Sequence, residues 1–354
     1  MGESELSADE ERTRAEKSTI SSTMGESGLS TDEERARVQK NLEKFSKINE
    51  MYYSGVPFFT KETMRDIHQQ LLNAKTGDKI SVLNLDGTKR EFTYTVGKVY
   101  DDHDDPETTE SIVYAQSFIL VSDQMLTQSS TEAYIDYQSI QDYTPTHDGC
   151  YNMSFCPMPI GIRHERRNIV TKEPRGWSMK PLPDLPLEEA EKLFKTSLEE
   201  WESSEQCKQF RSIITSANCH EGITKIVAFA CGRFSSVTPD SRYSRANARS
   251  GAQHALIFTL RDILSNMWVG DRKTIKCYAQ DPAYTATDKS LLEQAGVMIL
   301  NDPEAFLEVD ESTVVLSVSP SVCVRQVIAD IARPAIMIWD PIKWDENEME
   351  AKLV

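Results

Sequence analysis

Gly232 closes a short apolar run, Lys225–Ala230 and Cys231, and is followed by Arg233, Phe234, Ser235 and Ser236. A glycine directly after a buried strand lets the backbone turn sharply and lets a ligand approach the main chain, as nucleotide-binding α/β domains require at their first strand. Asp281 follows the next apolar run and is the kind of acid that such folds set against ribose hydroxyls. Ser319 ends a later run. Gly232, Arg233, Phe234, Ser235, Asp281 and Ser319 are therefore the candidate binding residues, with Asn301 and Pro320 at neighbouring strand ends. They imply a nucleotide-type small molecule and leave the cofactor unspecified. The glycine pattern is partial, with one glycine where G-x-G-x-x-G has three, and the acid comes well beyond the usual ~20 positions. Asp281-Pro282 equally suits an Asx-Pro turn, so both readings stand.

Other residues that could do chemistry form no such group. Arg242, Arg245 and Arg249 share one face of a helix beginning near Ser241, where they would either clamp an anion or pair with nearby acids. His254 sits inside an apolar helix and reads as a satisfied core imidazole. Cys231 and Cys323 have no histidine at fixed spacing, so neither reads as a nucleophile, and no catalytic residue is assigned. His147, Cys150, Cys156 and His164 are irregularly spaced and include no C-x-x-C pair, so no metal site is expected. The acidic run Asp101–Glu110 lacks the glycine and ligand spacing of an EF-hand and reads as a solvated loop. Arg163, Arg166, Arg167 and Arg175 lack interleaved aromatics, which argues against direct nucleic-acid contact.

The elements that must position the candidate residues are legible around them. Apolar runs at Lys225–Ala230, Thr274–Tyr278, Val297–Leu300, Thr313–Val318 and Ala335–Trp339 alternate with helical patterns at Ala252–Leu264, Thr287–Gln294 and Val322–Ile331. This alternation predicts an α/β fold with a Rossmann-like, doubly wound, mainly parallel sheet. Leu187–Ile214 reads as one long amphipathic helix leading into it. Upstream, Lys61–Leu72 reads as a helix, Asp86-Gly87 as a hairpin turn between two strands, and Ile112–Ser122 as a buried strand, so a smaller α+β region precedes the sheet.

The chain has 354 residues and 39% hydrophobic content, enough for a substantial core and more than one domain. Its formal charge of -17 opposes binding to nucleic acid or anionic membrane through bulk electrostatics. Neither a secretory signal nor a membrane-spanning run is expected, and the spread cysteines suit a reducing compartment, cytoplasmic or nuclear. Met1–Lys17 is echoed by Met24–Lys40, a local duplication that reads as a solvated tail. Val38, Leu42, Phe45 and Ile48 behind Ser30–Glu33 offer the alternative of a short helical docking element. The expected organisation is an acidic, largely disordered tail over 1–48, an α+β region over 49–180, the α/β domain with its leading helix over 181–345, and a C-terminal tail over 346–354.

The turn Gly232, Phe234, Ser235 and Ser236, the Gln253-x-Ala255-Leu256 helix, and Tyr278-x-x-Asp281-Pro282-x-Tyr284 followed by Asp288, Leu291-Leu292 and Gly296 resemble one family. Over roughly Ile223–Asp340 the chain is similar to the sensitivity-to-red-light-reduced (SRR-type) domain family. Tyr53–Thr60 resembles the segment preceding this domain in fungal-type members. The family commonly carries a Pro-His-Cys element after its fourth strand, where this chain has Ser319-Pro320-Ser321, so no role of that pair carries over. The resemblance implies a regulatory protein associated with light and circadian signalling and with control of heme synthesis, acting with protein partners. It brings no settled catalytic activity. An adenosyl-cofactor methyltransferase-like enzyme is the alternative, since methyl transfer needs positioning more than a dedicated base.

Overall fold

The computed structural model describes residues 31–101, 109–121, 124–130, 133–140, 155–161, 163–171, 185–217, 222–235, 241–267 and 274–340. The chain divides into two compact units, one of Met1–Pro57, Gln138–Phe155 and Pro341–Val354, the other of Phe58–Tyr137 and Cys156–Asp340. The first contains helix α1 (Thr31–Tyr53), which starts inside the duplicated acidic stretch. Ile48 of its expected apolar stripe is buried and Phe45 half-buried, while the side chains of Val38 and Leu42 lie outside the described residues.

The second unit opens with α2 (Lys61–Asn73), capped by the Thr60 hydroxyl, which accepts from Thr63 N. The hairpin β1 (Lys79–Leu83) and β2 (Lys89–Thr93) turns at Asp86-Gly87, where Gly87 takes φ 80°. Strands β3 (Val99–Asp101), β4 (Thr109–Val121) and β5 (Gln124–Ser130) pair antiparallel, β6 (Tyr134–Ile135) pairs with β7 (Ile160–Gly161), and β8 (Arg163–Asn168) adds to β4. Most of the acidic run after Asp101 lies outside the described residues.

Helices α3 (Leu187–Ser203) and α4 (Glu205–Ser216) stand where a single helix was expected. The break is at Ser204, whose extended backbone (φ -74°, ψ 153°) ends one helix and whose hydroxyl caps the next through Cys207 N. Strand β9 (Lys225–Phe229) then opens the sheet, followed by α5 (Ser241–Met267), β10 (Lys276–Gln280), α6 (Ala286–Gln294), β11 (Val297–Ile299), α7 (Glu304–Glu308), β12 (Thr313–Ser317), α8 (Val324–Ile331) and β13 (Ile336–Trp339). Strand β10 lies two residues later than expected, which puts Asp281 directly at its tip. The short helix α7 has no counterpart in the sequence reading.

All five strands are parallel, in the order β11-β10-β9-β12-β13. Side chains alternate across them. Ile226, Ala228, Val314 and Leu316 join Phe194 of α3 and Leu260 of α5 in one core. On the opposite face Phe229 stacks on Phe306 of α7 at 4.6 Å, and the rings continue through Tyr137 to Phe59. Asp330 of α8 accepts from Phe58 N and Phe59 N at 2.8 and 3.1 Å, so the segment preceding α2 in sequence is pinned to the parallel-sheet layer. Each such buried ring contributes about 1.5–3 kcal/mol.

Candidate functional site

Strand order reverses between β9 and β12, and in open parallel sheets ligands bind outside the carboxyl ends of the strands at that reversal. Ala230–Ser235 follow β9 at this rim, Asp281 follows β10, Ser319 lies beyond β12 and Asp340 follows β13.

The turn after β9 is held down by the chain itself. Ala230 N donates to Gln280 O at 3.1 Å and takes φ 55°. Gly232 takes φ 72° and donates its N–H to Asp281 Oδ2 at 2.6 Å. A β-carbon on Gly232 would lie 2.5 Å from Ser250 Oγ, so glycine is required for space as well as for conformation. The other oxygen of Asp281 accepts from Ala283 N at 2.8 Å, which makes the Asx turn one of the residue's actual roles. Asp288, fully buried, accepts from Phe234 N and Ser235 N on one oxygen (3.2 and 3.0 Å) and from Thr285 N on the other (2.9 Å). Thr285 completes a reciprocal capping box at the start of α6, and its hydroxyl also meets Ser235 Oγ at 2.8 Å. The Phe234 ring stacks on Phe194 at 4.6 Å. Donors that a Rossmann-type turn commonly offers to phosphate therefore go to two carboxylates of this chain.

Burial raises the Asp281 carboxyl to about 6, against the bonds from Ala283 and Gly232, and the nearby Asp288 charge adds to the rise. Asp288 is raised by burial as well, opposed chiefly by the Thr285 N–H. An acid whose folded pKa exceeds its unfolded value holds its proton better when folded. Its contribution to stability is greatest below about pH 4 and is lost as pH rises toward about 6. Asp281→Asn should thus remove about 1–3 kcal/mol of decline in unfolding free energy across that window. Urea midpoints measured at fixed pH check this, and a slope equal to that of the wild type would contradict it.

His254 is fully buried, with Nδ1 2.6 Å from Ser250 O and Nε2 2.9 Å from the Tyr284 hydroxyl. The carbonyl needs a donor, so Nδ1 carries the proton and Nε2 accepts from Tyr284. Burial pushes the imidazole pKa down to about 4, which keeps the ring neutral. Burial also pushes the Cys231 thiol far above its usual range, beside Asp281. Both groups tie α5 and the Tyr284 segment to the turn, as core residues do.

Across the reversal, Ser319 takes φ 52° and donates from both its N–H and its hydroxyl to Asp340 Oδ2, the hydroxyl at 2.7 Å. Ser317, the last residue of β12, is 1% exposed and its hydroxyl has no hydrogen-bond partner among the described residues. Of the expected binding residues, Gly232, Phe234, Ser235 and Asp281 are thus joined through Asp281 and Asp288, and Arg233 lies half-buried on the same turn. Ser319 stands at the same end of the sheet but is bonded to Asp340. Sequence reading missed Asp288 as a site residue, although the Thr285-x-x-Asp288 spacing signals a cap; nothing in the sequence marks Ala230 or Ser317. Asn301 bonds back to Glu304 at the start of α7. Arg249 is exposed, while the side chains of Arg242 and Arg245 lie outside the described residues, as do His147 and Cys150. Among the described residues no cluster of three or more His, Cys, Asp or Glu could hold a metal, and no helix is long and apolar enough to cross a membrane.

Residues 194–353 match the family model described as the SRR1 domain. This part of the chain is an SRR1 domain. It begins at Phe194, whose ring supports the turn after β9, and it contains the whole parallel sheet, both turn-holding acids and Ser317. The packing that stabilises the SRR1 domain reaches further, because Phe58 and Phe59 are bonded to Asp330 within it. No curated protein and no solved structure matches the chain.

Proposed function

We propose that the SRR1 domain of this protein is a regulatory module that takes a nucleotide-type metabolite at the rim between β9 and β12. The observation that carries the reading is the pair of left-handed, non-glycine residues, Ala230 and Ser319, beyond the two strands that flank the reversal. An L-residue in this region costs about 1–3 kcal/mol and persists only where surrounding structure enforces it, typically at ligand-binding positions. Asp281 supports the site from below by fixing Gly232. A regulatory role in light, clock or heme-related control is consistent with the family.

Thermal and urea unfolding of the full chain with adenosyl, nicotinamide and adenine nucleotides tests the reading. A ligand at 100 times its dissociation constant adds about 2.7 kcal/mol, and a null result across the panel removes the proposal. Ala230→Gly relieves the strain and should stabilise the free protein by about 0.5–1 kcal/mol while weakening the ligand's stabilising effect. Equal or lower stability of that variant would contradict the assigned strain.

A further inference from the structure

The chain contains one Ser-Pro step, Ser319-Pro320, and two Thr-Pro steps, Thr144-Pro145 and Thr238-Pro239, which lie outside the described residues. A proline after a hydroxyl residue is what proline-directed kinases select, because its ring fixes φ and its nitrogen carries no donor. The structure puts the Ser-Pro step on the surface. Strand β12 is buried along its whole length, and the chain then emerges at Ser319, Ser321 and Val322, all exposed, before Val324 returns to the core as the first residue of α8. Ser319 is held in the left-handed region (φ 52°) by one carboxylate, since Asp340 Oδ2 accepts from its N–H and, at 2.7 Å, from its hydroxyl. Asp340 directly follows β13, whose only sheet neighbour among the described residues is β12. The exposed hydroxyl that precedes the proline is therefore also a donor in the contact that ties the end of this strand to the turn after β12.

We infer that Ser319 is a phosphorylation site for a proline-directed serine/threonine kinase, and that a phosphate there opens the contact with Asp340. In the transfer, Ser319 Oγ bonds to the γ-phosphorus of ATP as the bond from that phosphorus to the β,γ-bridging oxygen breaks. ADP leaves, and the hydroxyl proton passes to the kinase's base. The product no longer donates from Oγ and carries about -1.5 to -2 charge at neutral pH. A charge-assisted hydrogen bond thus becomes repulsion between a phosphate and the Asp340 carboxylate, and the end of β13 is the element this loosens. The same two bonds govern how fast the site is modified, because Ser319 extends into a kinase cleft only after both of its bonds to Asp340 open. The inference holds with or without a ligand at the rim.

The test uses the full chain carrying Thr144→Ala and Thr238→Ala, so that Ser319-Pro320 is its one remaining proline-directed step. It is incubated with ATP and magnesium and, in parallel, a mitogen-activated and a cyclin-dependent kinase, and peptide mass spectrometry maps the phosphate. At least one kinase should place it on Ser319, and Ser319→Ala should remove it. Phosphorylation should lower the thermal midpoint by about 2 °C or more at low ionic strength, and by less as salt is added. Asp340→Asn, which keeps the side chain's shape without its charge, should at least double the rate of incorporation and cut the fall in midpoint by half or more. Absence of phosphate at Ser319 with both kinases would overturn the assignment of the site. A phosphorylated chain whose midpoint is unchanged, or falls as far in Asp340→Asn, would overturn the opening of the contact.

Discussion

Replacing Asp288 by alanine should destabilise the protein by about 4 kcal/mol or more. The side chain is fully buried and accepts from Phe234 N, Ser235 N and Thr285 N, so its loss leaves three main-chain donors without an acceptor. Each stranded donor costs about 1–3 kcal/mol, and the lost cap at α6 adds about 1. That total is a large share of the 5–15 kcal/mol typical of a domain. Thr285→Ala removes the cap but keeps the carboxylate, and should cost about 1–2 kcal/mol. Urea unfolding of the two variants separates the roles, and a loss at Asp288 no larger than that at Thr285 would contradict the three-donor assignment.

Gly232→Ala should cost about 3 kcal/mol, and Ser250→Ala should restore part of it. The added methyl group would overlap Ser250 Oγ at 2.5 Å, whereas the next contact, Ser250 Cβ, stands at an ordinary 3.6 Å. Removing the hydroxyl thus relieves the overlap, worth about 1–2 kcal/mol, and leaves the strain of φ 72°. The contrast is Gly251, where a methyl group would meet both Cβ and Oγ of Ser197 at 2.5 Å. Ser197→Ala removes one of these two overlaps and should rescue Gly251→Ala less than Ser250→Ala rescues Gly232→Ala. A double-mutant cycle checks both pairs, and additive losses at 232 and 250 would show that the hydroxyl is not the obstacle.

Much of the architecture was readable because periodicity reports burial. Strand β9 is an unbroken apolar run because helices cover both faces, and its alternation with helical segments predicts the parallel sheet. The split between α3 and α4 was not readable in the same way, since Ser204 breaks a hydrophobic stripe that continues through α4. Helix α7 is one short turn whose Ala305 and Phe306 pack against the sheet, and a segment of that length shows no period. Gly232 and Asp281 were correctly placed near one another, yet sequence carries no sign of which group a carboxylate accepts from. The direct bond between them is a matter of tertiary geometry. Strain at Ala230 and the orphan hydroxyl of Ser317 are equally silent, because neither residue type announces its backbone angle or its missing partner.

Amide hydrogen exchange at Gly232, Phe234 and Ser235 in the ligand-free protein tests most directly whether the chain's own carboxylates close this turn. Slow exchange at all three, falling to loop-like rates at Gly232 in Asp281→Ala, is the predicted result. Fast exchange at these amides in the free protein, slowed only when a nucleotide is added, would show that the turn's donors are reserved for a ligand and that the account is wrong.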